Sequence, residues 1–196
     1  MQEQVQRPQR LTFQEFFAFV QTRPDEERWE LFDGEAVLQA SANNRHQLIV
    51  SNVTTLLTVY GWNNKSSWAI LPGLGVHDSV SDPQSAPLPD MVVRPRSTGT
   101  EHYADDIIVA FEVLSPSTKR RDLVWKRNYY SGLAAMEHYV VIAQDDPLVH
   151  HYARDTGWSE RKLRKAGAVL ALKAIGADLS LADIYRDTGL LSSPGA

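Results

Sequence analysis

The chain contains no cysteine, so disulfides, thiolate nucleophiles and cysteine-ligated zinc are excluded together. That composition fits a reducing compartment. No apolar run approaches the roughly 18 residues that a membrane helix needs. The opening MQEQVQRPQR is polar and lacks the apolar stretch of a secretory signal. A cytoplasmic protein without a membrane partner is therefore expected. Positive charge is also short, with 20 Lys and Arg against 24 Asp and Glu and a net charge of −4. Proteins that grip nucleic acid through many phosphates usually carry a basic face. Here any such role must rest on local clusters, Lys119-Arg120-Arg121 with Lys126-Arg127 and Arg161-Lys162 with Arg164-Lys165. A solvated surface is the commoner meaning of each.

The 196 residues, 43% hydrophobic and 22% charged, suffice for one domain with a real core. That domain is expected over residues 11–187, between flexible tails at 1–10 and 188–196. Thr12 and Glu15 form a capping-box pattern, and Phe13, Phe16, Phe17 and Val20 follow at helical spacing. Asp33-Gly34 between two short apolar runs predicts a hairpin of residues 28–32 with 35–39. Asn43-Asn44 can cap a second helix to about Tyr60, with Gly61 ending it and His46 on the core side of its first turn. A broken strand over 68–76 and a short one after Pro89-Asp90 come next. A third helix capped at Ser117-Thr118 is expected to run to about Tyr130, with Leu123 and Tyr129 packing inward. Strands over 139–143 and 148–152, a hairpin of 158–163 with 168–172 and a helical turn at 181–185 complete a mixed α and β class around one sheet. His150 and His151 are neighbours on a strand and face opposite ways, a poor joint metal site.

Residues 107–115, IIVAFEVLS, read as a buried central strand, and Glu112 is the anomaly in it. An ionised carboxylate there costs several kcal/mol unless a cation or donors answer it. Pro89-Asp90 opens the preceding strand, and Lys126 lies on the helix that follows, in line with Asp122 and Tyr130. Two carboxylates on neighbouring strands can hold a hard cation such as Mg²⁺. A lysine beside them can orient water or stabilise charge developing on a phosphate. Glu30 alone reads as a surface residue, and an Asp-then-Lys helix pair as an exposed ion pair.

The order Glu30-Leu31-Phe32-Asp33-Gly34, Ser41 with His46, Pro89-Asp90, Phe111-Glu112-Val113-Leu114-Ser115-Pro116-Ser117-Thr118, Asp122, Lys126, Tyr130, Gly132 and Glu137-His138-Tyr139 resembles the Uma-type restriction endonuclease family of the PD-(D/E)XK nuclease superfamily. The resemblance implies an α+β, restriction-endonuclease-like core, a four-stranded mixed sheet flanked by helices, with an N-terminal hairpin. It also implies a metal-dependent DNA endonuclease that leaves a 5′-phosphate. Asp90, Glu112 and the backbone carbonyl of Val113 would hold Mg²⁺, with Mn²⁺ as an alternative. Lys126 would act on the water or the phosphate. Glu30 and His46 would serve at the rim, and Asp122 and Tyr130 as further accessory groups. DNA is the implied partner and a homodimer the implied assembly. One departure stands out, because the superfamily lysine two places after the second acid is here Leu114; Lys126 is its relocated counterpart. An inactive nucleic-acid-binding or interaction module on the same fold is the alternative. A glycoside hydrolase using Asp90 and Glu112 would need neither metal nor Lys126.

Overall fold

The structure, a computed structural model, describes residues 10–114 and 120–191. The expected cap at Ser117-Thr118 and the close of the central strand at Ser115-Pro116 lie outside them. Helix α1 (Phe13–Val20) starts at the Thr12–Glu15 capping box. Strands β1 (Trp29–Phe32) and β2 (Glu35–Leu38) pair across Asp33-Gly34. Both turn residues have positive φ, 48° and 82°, as a tight hairpin turn requires. Helix α2 (Asn44–Asn63) is capped by the Asn43 side chain, which accepts from the His46 N–H. It runs through Gly61 instead of ending there. Gly61 is buried, and a Cβ on it would lie 3.4 Å from the Trp68 ring, so the glycine serves close packing and not termination.

The core is a six-stranded mixed sheet where the resemblance implied four strands. Its order is β10 (Arg161–Leu163), β9 (Val149–Ala153), β8 (His138–Ala143), β7 (Val109–Leu114), β5 (Met91–Pro95), β3 (Trp68–Pro72). Within this sheet β7 and β8 are the parallel pair and the other neighbours are antiparallel. Strand β7 is buried along its whole length, as its apolar sequence requires. Side-chain alternation divides it. Val109, Phe111 and Val113 join the core under α2 and the C-terminal elements. Ala110 and Leu114 join the opposite core with Tyr130, Leu133 and Tyr139. Short strands β4 (Gly75–Val76) and β6 (Tyr103–Ala104) pair in parallel beside the sheet.

Residues 158–163 and 168–172 do not pair with each other. Strand β10 joins β9, while β11 (Val169–Leu172) pairs with β12 (Ala177–Ser180) across Gly176 at φ +67°. The third helix, a π-helical turn over Arg121–Lys126 continued by α3 (Arg127–Gly132), buries Asp122, Lys126 and Tyr130 and leaves Leu123 and Tyr129 only partly covered. Its polar face is the inner one because buried carboxylates meet it there. Helix α4 (Leu181–Ile184) closes the fold, and Leu190 and Leu191 pack against the same core.

Across β8 and β9, His138 and His151 place Nδ1 and Nε2 3.0 Å apart. The Ala174 N–H donates to His138 Nε2, so His138 carries its proton on Nδ1 and donates to His151. Burial, then the neighbouring His138, pushes His151 down to about 4, and burial lowers His138 as well. An imidazole depressed in the folded state is protonated first in the unfolded chain. Its contribution is therefore complete above about pH 6.5 and is lost as pH falls towards 4. His151→Gln should flatten that loss, measured as urea midpoints of variant and wild type at pH 7 and pH 5. Parallel curves would assign the acid sensitivity elsewhere.

Candidate active site

The carboxyl-terminal end of β7 lies where β5 and β7 stop pairing, beyond Met91 opposite Phe111. Asp90, just before β5, turns its side chain across this gap. Its Oδ2 accepts the Val113 N–H at 2.7 Å and its Oδ1 lies 3.1 Å from His46 Nε2. A strand residue's N–H and C=O leave the backbone on one edge, so the Val113 carbonyl faces the Asp90 side too. Burial opposes the Asp90 charge. The hydrogen bond and charge of His46, with the Val113 N–H, outweigh it and hold the carboxyl below the usual range.

Glu112, on the Ala110 and Leu114 side of β7, meets the third helix. Lys126 Nζ is 2.8 Å from Glu112 Oε1, 2.8 Å from Glu30 Oε1 and 3.5 Å from Asp122 Oδ1. The Tyr130 hydroxyl approaches Glu112 Oε1 at 3.4 Å, and Tyr139 donates to the Asp122 carbonyl. Glu30 is delivered by the hairpin, which bridges Leu31 to Ala86 and lets Glu30 accept the Leu88 N–H at 2.9 Å. With 1% of its surface exposed, Glu30 lies at the floor and not at the surface or the rim. The π-helical turn holds both Asp122 and Lys126, and such widened turns recur at functional sites.

Burial pushes the Glu112 carboxyl well above its ordinary value; Lys126 opposes this, and Asp122, Asp90 and Glu30 add to it. Burial would strip the proton from Lys126, but Glu112, Glu30 and Asp122 more than offset it and keep the ammonium well above the usual lysine range. Lys126 is thus a donor, not a base, and its N–H groups face carboxylates.

These groups line one cleft of about 490 Å³. Glu30, His46, Asp90, Glu112, Val113, Asp122 and Lys126 all border it, and Tyr130 reaches it through Glu112. Six carboxylates line the cleft, those of Glu26, Glu27, Glu30, Asp90, Glu112 and Asp122, against the cations Arg28 and Lys126. Glu26 and Arg28 are exposed and Glu27 half-buried. Glu30, Glu112 and Asp122 are buried and Asp90 nearly so, with Lys126 the buried cation among them. Such an excess of negative charge calls for a further cation. Among the described residues no three His, Asp or Glu side chains form a closed metal cluster. A Mg²⁺ site does not need one, since it keeps waters and uses one or two carboxylates with substrate oxygens. The donor set fits that pattern.

Sequence reading overlooked Gln144, buried just past β8 and lining the same cleft. Its signal was the one that marked Glu112, a polar residue at the end of an apolar strand. Of the basic clusters, Lys126 is withdrawn into the site, Arg127 donates to the Trp158 carbonyl, and Arg164 pairs with Asp146. His150 and His151 have separate partners, Glu160 and His138.

A mixed sheet flanked by helices, with acids gathered where its central strands part, is the architecture of restriction-type nucleases. The solved structure of "a putative nuclease belonging to DUF820 from Anabaena variabilis ATCC 29413" superposes with a TM-score of 0.71 at 15% identity, covering 89% of this chain and 97% of that one. The family model for Uma2, described as "Putative restriction endonuclease", matches residues 13–183. The chain belongs to the Uma2 family. No curated protein matches it.

Proposed function

We propose that the protein is a divalent-metal-dependent endonuclease that hydrolyses DNA phosphodiester bonds in this cleft. The observation that carries the reading is the convergence of Asp90, Glu112 and Lys126 on one cleft whose carboxylates outnumber its cations. Asp90, Glu112 and the Val113 carbonyl would hold the ion, Mg²⁺ or Mn²⁺. When bound, such an ion polarises the phosphate and lowers the pKa of the attacking water. It would also neutralise a cleft that otherwise repels a phosphate backbone.

The protein's own groups would position that chemistry. His46 and the Val113 N–H fix both oxygens of Asp90. Lys126, the relocated lysine of the PD-(D/E)XK pattern, fixes Glu112 and Glu30 and stays protonated, ready to stabilise charge but not to abstract a proton. Tyr130 and Asp122 hold Glu112 and Lys126 in place. Cleavage would leave a 5′-phosphate. A homodimer would supply one site for each strand.

A second reading, an inactive nucleic-acid-binding module, is favoured by one observation. Every N–H of Lys126 already has a carboxylate to face. Supercoiled plasmid separates the two. Nicking is expected with Mg²⁺ or Mn²⁺, none with EDTA, and none with Asp90→Asn, a shape-preserving change that removes charge. Salt-sensitive DNA binding without cleavage, unchanged in Asp90→Asn, would support the binding module instead.

A further inference from the structure

A second cavity, of about 1140 Å³, lies outside the acidic cleft, between the β1–β2 hairpin and the third helix. Arg10, Arg120 and Arg121 border it, the first two exposed and the third half-buried. The segment before α1 crosses the hairpin turn so closely that a Cβ on Gly34 would lie 2.6 Å from the Arg10 Cβ. The Leu11 N–H donates to the Gly34 carbonyl at 2.8 Å and fixes that crossing. It carries Arg10 to two arginines that lie far along the chain. Arg121 sits over the Phe32 ring, 4.5 Å from its centroid. Hairpin and helix are pinned together, since Trp125 Nε1–H donates to Asp33 Oδ2 at 3.0 Å and Phe32 meets the Trp125 ring at right angles.

Of the carboxylates beside this groove, Asp33 is engaged by Trp125 and Glu35 is exposed. Among the described residues none of the three arginines forms an ion pair. Lys126, Arg127 and Arg164 are answered from within the protein, so these three differ in keeping their charge for an outside anion. The rings of the groove pack against one another, Trp125 stacking on Tyr129 as well. The groove therefore offers guanidinium charge more than an open platform for a base.

We propose that this groove is a second nucleic-acid subsite, which holds backbone phosphates of DNA beside the stretch that enters the cleft. The planar fork of arginine matches phosphate oxygens in pairs. Such contacts supply affinity and fix register without reading sequence. The cleft cannot supply that affinity itself, because its carboxylates repel a phosphate backbone. The two sites adjoin at Phe32, whose ring has Arg121 above it and Lys126 Nζ at 5.9 Å. That the DNA so held is then cut rests on the nuclease reading; the binding does not.

The test is fluorescence anisotropy with a labelled DNA duplex in EDTA, where no cleavage competes, across a range of salt concentrations. The triple variant Arg10→Gln, Arg120→Gln, Arg121→Gln should bind at least about tenfold more weakly at low salt. Its slope of log K against log salt should fall by about 1 for each arginine, equally for two unrelated sequences. Arg10→Gln alone should take about 1 from the slope, which frees the result from the fold of the triple variant. Lysine at all three positions keeps the charge and should keep the wild-type slope. Arg161→Gln with Lys165→Gln, in the other basic cluster, should change neither affinity nor slope. A triple variant that binds like the wild type at every salt concentration would overturn the proposal. So would a loss seen instead in the Arg161 and Lys165 variant, or a wild type that does not bind DNA at low salt. Plasmid nicking in Mg²⁺ separates the two readings. Nicking with arginine-independent binding removes the subsite and keeps the nuclease, whereas arginine-dependent binding without nicking does the reverse.

Discussion

Glu112→Gln should cut cleavage severely while leaving the protein at least as stable as the wild type. Glu112 is buried, and its charge is opposed first by burial and then by Asp122, Asp90 and Glu30. Glutamine keeps the shape and can still accept from Lys126 and Tyr130, and Lys126 retains Glu30 and Asp122. Removing a charge that the fold tolerates badly is expected to be neutral or to stabilise by up to about 2 kcal/mol. Losing a metal ligand should lower the nicking rate by about 10³-fold, equivalent to several kcal/mol of transition-state stabilisation. Urea unfolding in EDTA, beside plasmid nicking in Mg²⁺, reads both. A loss of several kcal/mol in stability would instead make Glu112 a structural partner of Lys126.

Lys126→Met should do the opposite to stability and the same to activity. Methionine fills much of the space of the lysine stem but supplies no cation. Glu30, Glu112 and Asp122 are then left buried around an apolar side chain. Removing one partner from a buried ionic network costs about 3–5 kcal/mol. The sign of its pH dependence follows from the carboxylates. Burial already holds the Glu112 carboxyl above its ordinary value, and without the opposing ammonium it rises further, so its penalty grows as pH rises and fades as it takes up a proton. The gap between wild type and Lys126→Met should therefore narrow as pH falls towards the ordinary carboxylate range. A gap that stays constant with pH would mean that Lys126 acts through packing alone.

The features legible in the sequence share one property, that local chemistry alone determines them. Thr12 and Glu15 satisfy each other's backbone at the start of α1, and Asp33-Gly34 adopts the positive φ values a tight turn needs. Asn43 caps α2 and thereby positions His46. Glu112 stood out because a carboxylate in an apolar strand demands an answer. What the sequence hid depended on the partner. Asp122 and Lys126 look like an exposed helical ion pair until Glu30 and Glu112 arrive from other elements to make that face the buried one. Glu30 looks like a surface residue until the Leu88 N–H and Lys126 close over it. The pairing of β11 with β12, and the passage of α2 through Gly61, are likewise set by neighbours distant in sequence.

On the proposed function, Asp90 and Glu112 would build a divalent-metal site from a cleft with more carboxylates than cations. That site is tested most directly by Mn²⁺ titration, followed by electron paramagnetic resonance, in the presence of a non-cleavable phosphorothioate duplex. The expected result is one bound ion per chain in the wild type and none at that site in Glu112→Gln or Asp90→Asn. Equal Mn²⁺ binding by wild type and both variants would contradict the account.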